Sequence, residues 1–300
     1  RPQSLRVRGR RGTRRQGAGL SLPRIDVLVP SCGRPAALAV TLATIGAQDY
    51  PDLRVVVSDQ SEDSRALRQP EVVAVLRWLQ ASGRPVDAWH HLPRRGMAEQ
   101  RAFLLAQAHA RYCLFVDDDV ILAPWLLRRL RELLTQHGCG FAGSAVHGLS
   151  YLGEQRPAQE EVVFWEGRVE PETVVPGGAA WARHHLHSAA NLFHLQQRLH
   201  ASPAEARAYR VAWVGGCVLY QTARLRAAGG FDFWPDLPPQ HCGEDVLAQL
   251  RVMARFGGCG ILPSGAFHME LPTTLPGREV DAPWVLGTDP GGATSWREEN

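Results

Sequence analysis

Residues 25–35 read IDVLVPSCGRP and residues 53–63 read LRVVVSDQSED, with Leu38, Leu42 and Ile45 three to four apart between them. Ile25–Pro30 is short, apolar and β-branched, and proline stops it, which is the pattern of a buried strand. The spacing that follows predicts a helix over 35–48. Leu53–Ser58 reads as a second buried strand, closed by Asp59. The alternation continues with a helix over 72–80, a strand over 86–91, a helix over 97–110 and a strand over 112–116. That rhythm implies a parallel sheet with helices on both faces. Ligands of such sheets sit beyond the carboxyl ends of the strands. Ser31 to Arg34, Asp59, and Asp117 to Asp119 should therefore face one crevice. Farther along, the pattern predicts a helix over 125–136, a strand over 162–165 and a helix over 189–199. A strand over 211–220, interrupted at Gly215-Gly216, then precedes a helix over 245–256 and a strand over 260–263.

The composition is that of a soluble globular chain: 300 residues, 45% hydrophobic and 21% charged, with a net charge of +3. No lysine occurs, and the wealth of Ala, Gly, Arg and Pro points to GC-rich coding, which explains the arginines more cheaply than function does. Eight arginines and no acid fall within residues 1–24, so the remainder is mildly acidic. That leader is expected to be a disordered basic tail; such tails could hold anionic lipid or nucleic acid. The six cysteines form no C-x-x-C pair, and several lie in apolar strand-like runs, which reads as reduced thiols of a cytoplasmic protein. No apolar run approaches the ~18–20 residues that cross a bilayer. Peripheral contact with the inner membrane face is the most that is expected.

Three motifs carry chemistry. Phe115-Val116-Asp117-Asp118-Asp119 sets three repelling carboxylates directly after a strand, a costly placement without a counter-charge. A divalent cation supplies one, and hard cations take oxygen ligands. An acidic turn would look the same in isolation. Gly243-Glu244-Asp245 opens a helix, where acids also serve simply as caps. His268 stands just beyond an apolar strand, and alone it reads as a structural histidine.

The order of these motifs resembles the family 2 glycosyltransferases, inverting nucleotide-sugar enzymes of the GT-A fold, from about Ile25 to Thr274. IDVLVPSCGRP, a helix and LRVVVSDQSED look like that family's first nucleotide-binding unit. GMAEQR at 96–101 is similar to the segment that closes on the donor, and FVDDD matches the D-x-D motif. WVGGCVLYQTARLRAAGGFD resembles the acceptor-side strand and helix, and GED the motif of the catalytic base. Gly33 replaces the Asn common in the first loop, and Ser58 the first Asp of the usual pair. The resemblance implies a Rossmann-like, mostly parallel α/β sheet and a bacterial hexosyltransferase. Asp59 would read the base, with Pro30, Ser31 and Arg34 beside it, and Gly96 and Arg101 would meet the donor diphosphate. Asp117 and Asp118 would lie on the donor, while Asp117, Asp119 and His268 would hold Mn²⁺ or Mg²⁺. Asp245 is the first choice of base and Glu244 the second. Trp213, Gly215 and Gly216 would lie on the acceptor side. The expected donor is a UDP-sugar, and the acceptor a glycan, lipid-linked or other hydroxyl.

The implied organisation is a tail over 1–24, a glycosyltransferase domain over 25–274 and an extended tail over 275–300. Within the domain, 25–120 would bind nucleotide and 121–274 acceptor. A nucleotidyltransferase of similar fold would carry a Gly-rich basic loop after the first strand, and SCGRP is too short for that. A non-catalytic nucleotide-sugar or nucleic-acid binder would not need both acidic motifs. His184, His185, His187, His194 and His200 invite a zinc reading, but no Cys or carboxylate joins them at a recognised spacing. They read as surface or acceptor-lining residues. Trp165, Trp181 and Trp213 could stack on sugar, though buried aromatics are the commoner case.

Overall fold

A computed structural model describes residues 22–274 and 277–288, together with the backbone of Gln3 and Ser4. In chain order the strands are β1 (Gln3–Ser4), β2 (Ile25–Ser31), β3 (Leu53–Asp59), β4 (Val86–His90), β5 (Tyr112–Val116), β6 (Val120–Leu122), β7 (Phe141–Gly143), β8 (Val146–His147), β9 (Arg207–Tyr209), β10 (Cys217–Gln221), β11 (Gly258–Leu262) and β12 (Ala266–His268). The helices are α1 (Pro35–Gly46), α2 (Pro70–Ala81), α3 (Met97–Gln107), α4 (Leu126–His137), α5 (Asn191–Arg198), α6 (Thr222–Ala227), α7 (Glu244–Phe256) and α8 (Ala282–Leu286). The main sheet runs β1-β4-β3-β2-β5-β10-β7-β11-β9. The half formed by β4, β3, β2 and β5 is parallel throughout. β10 enters antiparallel between β5 and β7. The carboxyl ends of β2, β3 and β5 therefore point to one edge, at Ser31, Asp59 and Asp117.

Period-two alternation along β2 divides the core between two faces. Val27 and Val29 pack with Leu38, Leu42 and Ile45 of α1, Leu79 of α2 and the leucines of α4. Leu28 goes to the other face, with Leu104 of α3, Leu225 of α6 and Leu247 of α7. Pro35 and Pro70 each occupy a first helical turn, where a missing N–H costs nothing. On α4, Leu126, Leu127, Leu130, Leu133 and Leu134 are all buried, each contributing roughly 1.5–3 kcal/mol.

The strand expected over 211–220 is shorter, since β10 begins only at Cys217. Both backbone groups of Val214 are taken by the Gln249 side chain, whose Oε1 accepts the N–H and whose Nε2 donates to the C=O, each at 2.8 Å. Pairing with a neighbouring strand is thereby replaced, and Gly216, at φ +76°, turns the chain into β10. The strand expected over 162–165 is a single bridge, Phe164 to Tyr209. Residues 275–300 were expected to be an extended tail. Their described part instead contains α8, whose Ala282 is buried, and Cys242 bridges to Asp281. The basic leader lies outside the described residues apart from 3–4 and 22–24.

A second sheet, β6-β12-β8, crosses the edge where the main sheet's polar ends emerge. β12 runs antiparallel to β6 with His268 opposite Val120, and the Met269 N–H donates to the Asp119 carbonyl at 2.9 Å. This small sheet carries the late histidine to the acid triplet.

Candidate active site

A cavity of about 260 Å³ opens at that edge. Of the residues singled out from sequence, Pro30, Ser31, Arg34, Asp117, Asp118, Asp119 and His268 line it. Asp59, Gly96, Arg101, Trp213, Gly215, Gly216, Glu244 and Asp245 do not.

Within the triplet the three carboxylates have different partners. Asp118 is buried and accepts a hydrogen bond from Ser31 Oγ at 2.7 Å. Burial pushes its carboxyl up to about 7, against the pull of that hydrogen bond. Asp119 Oδ2 lies 2.6 Å from an Arg34 guanidinium nitrogen and 3.6 Å from His268 Nε2. Asp117, the most exposed of the three, pairs with Arg101 at 2.9 Å.

Arg101 was expected at the donor diphosphate, but it is buried and lies between two carboxylates. Its Nε donates to Glu244 Oε1 and a terminal nitrogen to Asp117 Oδ1, both at 2.9 Å. Burial works against the charge, yet Asp117 and Glu244 outweigh it and hold the guanidinium firmly protonated. Beside this pair, burial and the Glu244 charge push Asp245 up to about 7, with Arg101 pulling the other way. Glu244 is thus ion-paired, whereas Asp245 is a high-pKa carboxylate at the start of α7.

Asp59 is fully buried at the end of β3. Its Oδ1 accepts from the Ser61 N–H at 3.0 Å and the Ser61 hydroxyl at 2.5 Å, while Oδ2 has no partner among the described residues. Burial raises its pKa, and the Ser61 hydrogen bonds oppose the shift. A recess of about 630 Å³ lined by Gln60, Leu92 and Arg94 shares Cys32 with the first cavity. Gly96 carries φ +105°, and a Cβ there would meet His241 at 2.6 Å and the Pro239 carbonyl at 2.8 Å. It is a packing glycine at the start of α3.

Gly216, expected on the acceptor side, is tied to the end of β5: the Asp117 N–H donates to the Gly216 carbonyl at 3.0 Å. Trp213 sits in an aromatic group, stacked on His184 with centroids 6.3 Å apart and 6.4 Å from Trp181. The histidines of that region bond to protein groups, His184 Nδ1 to the Trp181 carbonyl and His187 Nε2 to the Tyr209 hydroxyl. A further recess of about 330 Å³, lined by Tyr151, His187 and Glu270, adjoins the first cavity through His268 and Leu271.

The expected cation ligands do not converge. Among the described residues no group of three His, Cys, Asp or Glu side chains is arranged to hold a metal. Asp119 is held by Arg34, Asp117 by Arg101, and His268 Nδ1 accepts the Glu270 N–H at 2.8 Å. On a neutral ring, that acceptor role places the proton on Nε2, the atom facing Asp119. As arranged, this set does not fit a divalent ion.

Sequence reasoning missed Gln100, Thr273, Thr274 and Arg278, which also line the cavity. Gln100 Nε2 donates to the Ser31 and Ser58 carbonyls, tying the ends of β2 and β3. Its signal was a polar residue on the sheet-facing side of α3. Arg278 lies in the stretch expected to be a tail, and a basic residue soon after His268 was the available clue.

Residues 26–173 match the family model described as Glycosyl transferase family 2. Over that stretch the sequence is similar to the family 2 glycosyltransferases, and the fold is GT-A. Two solved structures of TarS agree on the fold. S. aureus TarS 1–349 aligns at 16% identity and a TM-score of 0.51, covering 79% of this chain and 57% of that one. The same protein in complex with UDP-GlcNAc aligns at 15% and 0.50, covering 84% and 60%. The mannosyltransferase PcManGT from Pyrobaculum calidifontis, in complex with GDP-Man and Mn²⁺, gives 18% and 0.49, covering 79% and 56%. The chain thus spans less than two thirds of the length of these proteins. No curated protein matched the sequence. Among the described residues no helix is long and apolar enough to cross a membrane.

Proposed function

We propose that this protein transfers a sugar from a nucleoside-diphosphate sugar to an acceptor hydroxyl with inversion, Asp245 serving as general base. One observation carries the reading: buried Arg101 joins Asp117 of the donor strand to Glu244 of the Gly243-Glu244-Asp245 turn. Two acidic motifs far apart in sequence thereby become one site.

The donor's base would lie toward Asp59, whose unpartnered Oδ2 suits a ring N–H. Its diphosphate would enter the cavity lined by Arg34 and Arg278, whose guanidinium groups suit phosphate oxygens. The acceptor would approach past Gly216, from the recess beside Tyr151. There Asp245, ionised above about pH 7, takes the acceptor proton as the oxygen attacks the anomeric carbon. The nucleoside diphosphate leaves on the opposite face, so one displacement inverts the centre. Glu244, neutralised by Arg101, holds the turn in place. Mn²⁺ or Mg²⁺ suits carboxylate oxygens such as those of Asp117 and Asp119, but only after Arg34 has left Asp119.

The preferred donor is a UDP-sugar and the acceptor a glycan or lipid-linked hydroxyl, used by a cytoplasmic enzyme with at most peripheral membrane contact. The test is a panel of nucleotide sugars, with and without Mn²⁺, scored for donor turnover by wild type and Asp245→Asn. Turnover of at least one donor, lost in the variant, is expected. No turnover across the panel would sink the reading.

A further inference from the structure

We propose that Arg34 is the resident counter-ion of the acid triplet and closes its cation site. A divalent ion then enters only together with a nucleoside diphosphate that draws Arg34 off Asp119. The identity of that diphosphate rests on the glycosyltransferase reading; the closure itself rests on geometry.

Arg34 stands just before α1, at the carboxyl edge of the sheet. Its guanidinium lies 2.6 Å from Asp119 Oδ2 and 3.6 Å from Asp118 Oδ1. Its other terminal nitrogen donates to the Pro272 carbonyl, so the group is fixed at both ends. A cation ligated by Asp119 Oδ2 would sit roughly 2.0–2.6 Å from that oxygen, with the guanidinium nitrogen already 2.6 Å from it. Two positive charges on that one oxygen at such distances would repel each other strongly. His268 strengthens the exclusion: with the Glu270 N–H on Nδ1, a neutral ring presents a proton rather than a lone pair to Asp119. Ligation through Nε2 would require the Glu270 amide to let go.

A diphosphate changes the balance. Phosphate oxygens offer a guanidinium a two-pronged partner at least as good as a carboxylate, and Arg34 already lines the cavity the diphosphate would enter. Once Arg34 turns to phosphate, Asp119 carries an uncompensated charge beside Asp118 and Asp117, and a divalent cation becomes its natural partner. Nucleotide and cation then bind cooperatively, because each removes the obstacle to the other.

The experiment is calorimetric titration of MnCl₂ into the full chain without nucleotide, for wild type, Arg34→Ala and Arg34→Gln, with thermal melting as a check on folding. Wild type is expected to show no saturable site. Both variants should bind Mn²⁺ on the order of tenfold or more tighter than wild type, and Asp119→Ala added to either should abolish the gain. Titration with UDP or GDP should then confer Mn²⁺ binding on wild type. Tight Mn²⁺ binding by nucleotide-free wild type would overturn the closure, as would no gain in two folded variants. If neither UDP nor GDP binds wild type with Mn²⁺, the nucleotide-sugar reading and the coupling both fall. The nucleotide-free titration still judges Arg34 independently.

Discussion

Arg101 Nε donates to Glu244 Oε1 at 2.9 Å across 143 residues of sequence, and both side chains are about 5% exposed. The same guanidinium reaches Asp117, which is 35% exposed. One buried cation thus serves one buried and one half-solvated carboxylate. It fixes the start of α7 relative to the end of β5.

Removing Arg101 should therefore be costly. Arg101→Met leaves Glu244 buried without its counter-charge, and loss of one partner from a buried pair costs about 3–5 kcal/mol. Asp117 can turn to water and should add little. The double variant Arg101→Met, Glu244→Leu removes both buried charges and should recover much of the loss. Urea unfolding of the three proteins measures this; a single variant as stable as wild type would show that the pair is dispensable.

The parallel half of the sheet was legible because its signals are local. β2, β3 and β5 each carry a buried apolar stretch (Val27–Val29, Val55–Val57 and Tyr112–Val116), followed by a polar residue that lines or borders the site. His268 was placed beside the triplet only by resemblance, and β12 pairing with β6 is what carries it there. Arg101 illustrates what could not be read. Its place on α3 was plain, but its partner lies on α7, and no period in the sequence records which carboxylate a buried arginine will choose. The segment 211–216 misled for a related reason, since it is apolar enough for a strand, yet the Gln249 side chain takes both backbone groups of Val214 at its middle. Arg34 was read as a neighbour of the nucleotide base. That it ion-pairs with Asp119 depends on a fold-level juxtaposition of the β2–α1 loop with the acid triplet.

Stability should depend on pH through Asp245. Its folded value is raised from 3.8 to about 7. Below pH ~4 the carboxyl is protonated in both states and contributes no difference. Between about 4 and 7 the unfolded chain ionises while the folded protein keeps its proton, so stability falls as pH rises. Above about 7 the penalty is complete. Asp245→Asn lacks it, so the variant should gain on wild type across that window and hold a constant advantage beyond. Urea midpoints at pH 4.5, 6 and 8 test this, and a difference that does not change with pH would contradict it.

Asp119 links the cation to the donor under the reading proposed here. Asp119→Ala should abolish the Mn²⁺-dependent part of UDP or GDP binding in calorimetry while leaving a weaker, metal-independent part carried by the arginines. The variant should also release Arg34 from its nearest partner, so metal-free affinity should stay the same or rise slightly. Unchanged Mn²⁺ dependence would remove Asp119 from the cation site.

The final prediction separates the base from its neighbour. Asp245→Asn preserves shape and much of the capping ability at the start of α7. It should spare nucleotide binding and lower turnover by ~10²-fold or more, the usual scale for loss of a general base. Wild-type kcat should rise with pH through about 7, because only the ionised carboxylate can take the acceptor proton. The residual rate of the variant should lack that limb. Glu244→Gln keeps a hydrogen-bond acceptor for Arg101 but removes the charge that raises Asp245. Its acidic limb should therefore move to lower pH, with turnover at pH 8 reduced far less than in Asp245→Asn. A larger loss at Glu244, with the limb absent from that variant instead, would exchange the two roles. Near-normal turnover in both single variants and in the double would reduce the turn to a helix cap held by an arginine.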